Sequence, residues 1–169
     1  MKLAVTDASI FIDLLLCDAC NAFFQLPHNI ITSYQVWMEL DQDQREFLST
    51  WVEKEKLTIV EIEENFIDET DPFNLSMSLS IADRSVWFLA KKESALLLTS
   101  DGVLRKMGRK HKIKTHGLLW AFDRMVMENT LTTDEAIVKL EQVFEHNLYY
   151  RRNEKLLHAF ENLKKNWSH

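Results

Sequence analysis

The chain has 169 residues, of which 46% are hydrophobic and 27% are charged, as is typical of one soluble globular domain with a substantial core. Three Gly and two Pro leave no room for a Gly-rich phosphate loop or a long flexible linker. No apolar stretch approaches the ~20 residues of a membrane span, and Asp7 and Asp13 interrupt the apolar N-terminus. We therefore expect neither a signal peptide nor a membrane segment, and we expect a cytoplasmic location.

The formal net charge of −6 argues at first against a nucleic-acid partner, because contacts to phosphate need Lys and Arg. The charge is unevenly distributed, however. Residues 39–71 contain twelve acids and three bases and carry −9, which leaves +3 for the remainder. A basic segment without an intervening acid consists of Arg105, Lys106, Arg109, Lys110, Lys112 and Lys114. Such a run is more often a solvated helix face than a nucleic-acid contact, and both interpretations stay open here.

The chain begins with a predicted strand over 2–6, which ends at Asp7, and Ser9 is predicted to cap a helix over 10–16. The further strands are expected over 28–31, 57–62, 95–98 and 112–115. The further helices are expected over 18–24, 34–40, 46–55, 81–93, 102–110, 118–129, 133–146 and 155–166, with a polar break at 41–44 and an acidic loop at 63–76. N-caps are expected at Ser33, Ser80, Asp101, Thr132 and Asn153. This alternation predicts an α/β fold with a parallel sheet.

Two acids are expected to meet at one edge of this sheet. Asp83 lies near the start of the helix over 81–93, and Asp101 follows the strand over 95–98. The helix extends for about 15 Å and the strand returns for about 17 Å, so the two carboxylates finish level. That edge is the carboxyl end of the strand, where open α/β sheets bind ligands, and Asp7 follows its own strand in the same way. Each acid alone is more often a helix cap, so a functional interpretation needs several acids together.

Three other features with chemical potential are given structural interpretations. Cys17 and Cys20 form a C-x-x-C pair, which we interpret as two reduced core cysteines, because no second pair exists and the motif does not lie at a strand-to-helix turn. Asp13 is expected at the surface or behind the site as a supporting residue. His111 and His116 are interpreted as surface residues or occasional phosphate contacts rather than as a general base.

Four segments resemble, in order, the motifs of PIN-domain ribonucleases, the family that includes the VapC-like toxins of type II toxin–antitoxin pairs. They are VTDASIFI at 5–12, SYQVWMEL at 33–40, IADRSVWFLA at 81–90 and LLTSDGVLR at 97–105. The resemblance implies a three-layer α/β/α sandwich around a parallel sheet of about five strands. It covers roughly residues 2–130, so a nuclease domain is expected over 1–130. The caps at Thr132 and Asn153 predict an extension by C-terminal helices over 131–169, which we expect to pack on the same domain.

The resemblance also implies the residues of an active site. The metal-site and catalytic acids would be Asp7, Glu39, Asp83 and Asp101, and the supporting hydroxyls would be those of Ser9 and Thr99. Clustered carboxylates without a cationic partner suit a hard cation, so Mg²⁺ or Mn²⁺ is the expected cofactor. Such a metal activates a water for hydrolysis of RNA phosphodiester bonds. The residues expected to bind the RNA backbone are Arg105, Lys106, Arg109 and Lys110.

The expected partners are an RNA substrate, an antitoxin protein and a second copy of the chain. The antitoxin follows from the resemblance to toxins, and the homodimer would form through aromatic residues of the C-terminal helices. Two alternative functions remain. One is a non-catalytic PIN-like module that binds RNA or protein, and the other is a stand-alone RNA-processing nuclease without an antitoxin.

Overall fold

A computed structural model describes residues 2–63, 65, 75 and 78–167. Within these residues the strands are β1 (Lys2–Thr6), β2 (His28–Ser33), β3 (Leu57–Val60), β4 (Leu96–Leu98) and β5 (Thr115–His116). They form one sheet in the order β3-β2-β1-β4-β5, and every neighbouring pair is parallel. A parallel sheet of five strands with flanking helices confirms the predicted α/β/α fold.

Strand β1 lies at the centre of the sheet, between β2 and β4. Its residues Ala4, Val5 and Thr6 are buried, as expected for a parallel strand that is covered on both faces. The register with β4 ends where Thr6 lies opposite Leu98. The two strands therefore finish level, and Asp7 and Thr99, which follow them, lie at the same edge of the sheet.

The helices of the described residues are α1 (Ala8–Leu16), α2 (Cys20–Phe24), α3 (Tyr34–Glu39), α4 (Gln42–Glu53), α5 (Ile81–Lys92), α6 (Gly102–Lys110), α7 (Leu118–Met127), α8 (Thr133–His146), α9 (Leu148–Arg151) and α10 (Glu154–Trp167). The expected N-caps accept a hydrogen bond from a backbone N–H in the first turn of their helices and are confirmed; they are Ser33, Ser80, Asp101, Thr132 and Asn153. No helix among the described residues is long and apolar enough to cross a membrane.

The last strand is Thr115–His116 rather than 112–115, because the backbone of Lys112 is left-handed, with φ of 61°. Three other local predictions are also wrong. The first helix begins at Ala8, so Ser9 lies inside it and is not its cap. Asp18 does not start a helix, because its backbone is left-handed, with φ of 51°, and α2 begins two residues later. The predicted polar break at 41–44 is a helix start, in which Asp41 and Gln44 each bind the other's backbone N–H. The predicted acidic loop at 63–76 lies almost entirely outside the described residues.

The chain divides into two compact units. The first consists of Met1–Ile12 and Pro27–Gly117 and contains all the strands of the sheet. The second consists of Asp13–Leu26 and Leu118–His169, and its described part is helical, with a core that includes Phe23, Phe122, Leu140 and Tyr150. The predicted division after residue 130 stays a prediction.

The second unit contains the two cysteines and Asp13. Both thiols are buried and free, and burial raises the pKa of each to about 12, so they are protonated at neutral pH. The interpretation of two reduced core cysteines is confirmed. Of the two positions expected for Asp13, the surface is ruled out, because Asp13 is 2% exposed and accepts hydrogen bonds from the Tyr150 hydroxyl at 2.7 Å and the Asn147 amide at 3.0 Å. These two donors make the burial of its carboxylate tolerable.

Candidate active site

Asp7 is the most buried acid of the predicted site, with 4% exposure. Its Oδ1 accepts the N–H of Ala8, and its Oδ2 accepts the hydroxyls of Ser9 and Thr99, each at 2.8 Å. Burial raises the pKa of Asp7, and the two hydroxyls lower it part of the way back. Three donors thus hold the carboxylate in one orientation, although its ionisation remains costly.

The two hydroxyls that bind Asp7 also fix the chain after β4. The Ser9 hydroxyl accepts the N–H of Ser100, and the Thr99 hydroxyl accepts the N–H of Asp101, both at 3.0 Å. Each hydroxyl therefore donates to the carboxylate and accepts from the backbone, which uses both of its capacities. The sequence predicted Ser9 and Thr99 as supporting hydroxyls, and in the structure both contact Asp7 directly.

Ser80 links Glu39 with Asp83. Its hydroxyl accepts the N–H of Asp83 at 3.1 Å, while Asp83 Oδ2 accepts the N–H of Ser80 at 2.8 Å, so the two residues form a capping box at the start of α5. The same hydroxyl lies 3.5 Å from Glu39 Oε1, at the end of α3. Glu39 and Asp83 are 44 positions apart in the chain, and this serine brings them to one place.

A buried pair of hydroxyls joins the same two helices deeper in the first unit. The hydroxyl oxygens of Ser33 and Ser85 lie 2.6 Å apart, and both residues are fully buried. Ser33 also caps α3 by accepting the N–H of Val36, and Ser85 donates to the carbonyl of Ala82. Because α3 carries Glu39 and α5 carries Asp83, this pair positions the two acids. This pair was not predicted from the sequence, in which the one available signal was a serine on the apolar face of a predicted helix.

Asp7, Glu39 and Asp83 influence one another electrostatically. The pKa of Glu39 is raised by partial burial of its carboxyl and then by the charges of Asp7 and Asp83. The charge of Asp83 also contributes to the raised pKa of Asp7. Glu39 is exposed as a residue, so solvent screens much of its interaction with the other two acids. We call these three residues the acid group.

Asp101 takes part in a different way. Its carboxylate accepts the N–H of Leu104 at 2.6 Å as the cap of α6, and the residue is exposed. Its backbone N–H donates to the Thr99 hydroxyl, which in turn donates to Asp7, so Asp101 is linked to Asp7 through its backbone. The structure thus brings Asp7, Glu39 and Asp83 into electrostatic contact and uses the Asp101 carboxylate to cap a helix.

The donor chemistry of the acid group fits a hard divalent cation. It offers oxygen ligands only, and its mutual repulsion is the kind that Mg²⁺ or Mn²⁺ relieves. The distances do not make a ready metal site, however. Among the described residues, no three Asp, Glu, His or Cys side chains lie close enough together to hold a metal ion.

The four residues predicted to bind RNA all lie on α6. Lys106, Arg109 and Lys110 are exposed, whereas Arg105 is half-buried. Helix α6 packs tightly on β5, because a β-carbon on Gly108 would lie only 2.8 Å from Cγ2 of Thr115. His116, interpreted from sequence as a surface residue or an occasional phosphate contact, is half-buried. Burial lowers its pKa, and the charges of Lys114 and Arg105 lower it further.

A comparison with known protein families shows the type of domain. A family model described as DUF3368: PIN domain matches residues 3–162. The chain belongs to the PIN-domain family. Among solved structures, a PilT N-terminus domain protein from the hyperthermophilic archaeon Sulfolobus solfataricus is similar, with a TM-score of 0.46 and 9% identity over 78% of this chain and 95% of that one. No curated protein sequence matches the chain significantly.

PIN domains are generally nucleases and usually use divalent metal ions. The match to the PIN family continues past the sheet to residue 162, which lies in α10. The helices after β5 thus belong to the region that this PIN family model covers, although the sequence resemblance carried only to about residue 130.

Proposed function

We propose that this PIN domain is an endoribonuclease that depends on Mg²⁺ or Mn²⁺ and hydrolyses RNA phosphodiester bonds. The observation that supports the proposal best is the acid group at the carboxyl edge of the sheet. Asp7 is buried there with a raised pKa, and Glu39 and Asp83 add charge of the same sign. A protein that maintains such repulsion without a paired cation gains stability when a divalent ion binds.

In this proposal Asp7, Glu39 and Asp83 hold the ion, and Asp101 assists from the cap of α6. The ion, when bound, lowers the pKa of a water and offsets the charge of the scissile phosphate. The chain's own contribution is orientation. Ser9 and Thr99 fix the Asp7 carboxylate, and Ser80 keeps Glu39 beside Asp83.

The test is incubation of purified protein with single-stranded and structured RNAs in Mg²⁺ or Mn²⁺. We expect cleavage that a chelator abolishes and that Asp7→Asn reduces by at least about a hundredfold, since a catalytic metal ligand is lost. Glu46→Gln, which changes an exposed acid of α4, is the matched control and should cleave like the wild type. Cleavage that persists in Asp7→Asn would come from a contaminant and would contradict the proposal.

A second candidate is a non-catalytic PIN module that captures RNA or a protein with its acids. The observation that favours it is the absence, among the described residues, of three acids close enough to hold a metal. This candidate requires binding without turnover in any divalent ion. Tight RNA or protein binding together with intact substrate after prolonged incubation would favour it over the nuclease.

We further propose that the nuclease acts as a cytoplasmic toxin that an antitoxin neutralises through a basic side chain at the acid group. A stand-alone RNA-processing enzyme is the alternative. Co-expression with the product of a small adjacent gene tests the pairing, because an antitoxin should co-purify with the chain and suppress cleavage.

Light scattering tests the homodimer, which we place at the aromatic C-terminal helices. A monomeric mass would contradict the homodimer. An adjacent gene product that neither binds the chain nor inhibits cleavage would contradict the antitoxin.

A further inference from the structure

Arg105 is half-buried on α6, and its guanidinium lies against the backbone at the end of β5. Its Nη1 and Cζ are 3.3 and 3.6 Å from the point where a β-carbon on Gly117 would lie. The carbonyl oxygen of Thr99 is 3.6 Å from the same point. The guanidinium can come this close because Gly117 has no side chain.

The guanidinium lacks an anionic partner in the part of the chain that the structure describes. Its Nε is buried without a hydrogen-bond partner, and no carboxylate there forms a salt bridge with it. A second cation, Lys114, lies near the same place, because burial lowers the pKa of His116 and the charges of Lys114 and Arg105 lower it further. A partly desolvated guanidinium without an anion costs free energy that binding of an anion would recover.

The location of Arg105 relates it to the acid group. Thr99 donates its N–H to the carbonyl of His116 at 3.0 Å, which joins the end of β4 to the residue before Gly117. The hydroxyl of the same Thr99 donates to Asp7. Thr99 thus contacts Asp7 of the acid group with its side chain. Its carbonyl oxygen lies beside the space over Gly117 that the Arg105 guanidinium occupies.

Two glycines fix this arrangement. Gly108 lets α6 approach β5, since a β-carbon there would collide with Thr115, and Gly117 leaves the space that the guanidinium occupies. The other basic residues of α6 differ from Arg105 in this respect, because Lys106, Arg109 and Lys110 are exposed. Arg105 is therefore the one basic residue of α6, among those predicted to bind RNA, that is half-buried and held against the backbone of Gly117.

We propose that Arg105 forms a phosphate-binding subsite, seated over Gly117, that holds one backbone phosphodiester of single-stranded RNA next to the acid group. A guanidinium presents a planar fork of donors that matches two oxygens of a phosphate, and such charge-assisted pairs are short and strong. The three exposed bases of α6 then add long-range attraction without fixing a phosphate. The choice of RNA as ligand rests on the proposed function, whereas the anion subsite follows from Arg105 itself.

The test measures binding without turnover. A fluorescent single-stranded RNA is titrated with full-length protein in chelator, and anisotropy gives Kd over a series of salt concentrations. Arg105→Ala should weaken binding by roughly ten- to a hundredfold, the range for loss of a charge-assisted hydrogen bond, and should flatten the log Kd versus log salt slope by ~0.7. Arg109→Ala removes the same charge from the exposed face and is the matched control, with an expected loss below about threefold. Equal effects of the two variants would overturn the subsite.

Two further variants keep a positive charge at position 105 and test whether a loss of binding reflects the subsite rather than misfolding. Arg105→Lys retains the cation but not the fork, and Gly117→Ala retains the arginine but places a methyl group 3.3 Å from Nη1. Both should weaken RNA binding several-fold while circular dichroism and melting stay close to wild type, and wild-type binding in both would overturn the proposal. If millimolar inorganic phosphate stabilises the wild type and RNA affinity is equal in all forms, the subsite takes free phosphate and the backbone assignment is wrong. Because the assay contains no divalent ion, a protein that never cleaves RNA can still confirm the subsite.

Discussion

The hydroxyl of Thr99 donates a 2.8 Å hydrogen bond to Asp7 across 92 positions of sequence, and both groups are buried at the carboxyl edge of the sheet. The bond exists because β1 and β4 are neighbours and end level with each other. It opposes the effect of burial on the pKa of Asp7 and limits the carboxylate to one orientation. The acid group therefore depends on a residue that is not itself an acid.

Replacement of Thr99 by Val should remove this bond at nearly constant shape. We expect a stability loss of about 1–3 kcal/mol at neutral pH, since a buried carboxylate loses a donor, and a further rise in the pKa of Asp7. Because the folded-state pKa is then further above the unfolded value, the loss should shrink as pH falls toward that pKa. Urea unfolding over pH 4 to 8 measures it. Thr99→Ser keeps the hydroxyl and should recover most of the loss, and equal instability of the Ser and Val variants would assign the effect to packing.

Glu39→Gln should stabilise the metal-free protein slightly. The pKa of Glu39 is raised by partial burial and by Asp7 and Asp83, so its ionised form costs stability above that pKa and the cost disappears as pH falls below the ordinary value. We expect a melting temperature about 1–3 °C higher at pH 7 and equal to wild type near pH 4, since solvent screens this exposed residue. Glu46→Gln on α4 is the control and should show no such pH-dependent difference. A lower melting temperature for Glu39→Gln would mean that Glu39 stabilises the fold.

Divalent metal should stabilise the wild type in proportion to its binding. Addition of Mn²⁺ at a hundred times its Kd should contribute about 2.7 kcal/mol, and the effect should weaken as pH falls through the raised pKa of Asp7, because a protonated carboxyl is a poor ligand. Differential scanning calorimetry at several pH values measures this. Asp7→Asn should lose most of the shift. An equal Mn²⁺ shift in wild type and Asp7→Asn would show that the metal binds elsewhere.

Gly108→Ala tests the tight packing of α6 on β5. The new methyl group would lie 2.8 Å from Cγ2 of Thr115, and overpacking of this kind costs about 1–3 kcal/mol, more than the ~1 kcal/mol that Ala gains over Gly in a helix. We expect a net loss in denaturant unfolding. The Thr115→Ser replacement removes Cγ2, the atom that the new methyl group would meet, so in that background Gly108→Ala should become neutral or stabilising. A cost that is unchanged in that background would place the collision elsewhere.

Tyr150→Phe tests the buried acid of the second unit. The variant removes the hydroxyl that donates to Asp13 at 2.7 Å, while the amide of Asn147 still donates to the same carboxylate. We expect a loss of about 1–3 kcal/mol in the free energy of unfolding, because a buried carboxylate loses a hydrogen bond. Tyr149→Phe alters the adjacent, 44% exposed tyrosine and should change stability by less than about 0.5 kcal/mol. Similar losses in the two variants would contradict a specific role for the Asp13 contact.

Local features of this fold could be predicted from sequence because they depend on residues within one turn of each other. The caps at Ser33, Ser80 and Asp101 each need a side-chain oxygen and a backbone N–H three residues later, and a sequence displays that spacing directly. The bounds of β1 and α6 were predicted correctly for the same reason, since apolar pattern and cap coincide at their ends. The cap predicted at Ser9 was wrong because the Ser9 hydroxyl donates to the Asp7 carboxylate instead.

Only the tertiary structure decided how the acids are used. The sequence predicted Asp7, Asp83 and Asp101 at strand and helix ends, whereas the resemblance to PIN domains was needed to predict Glu39. Neither the sequence pattern nor the resemblance indicated that Ser80 joins Glu39 to Asp83. Contacts such as Asp7 with Thr99, or Arg105 with the seat over Gly117, bring together residues from separate elements. Their distances depend on strand order and helix packing, which are set by burial of the whole core rather than by any neighbouring residue. A sequence therefore determines which oxygen and nitrogen atoms are available, and the packed fold determines which of them meet.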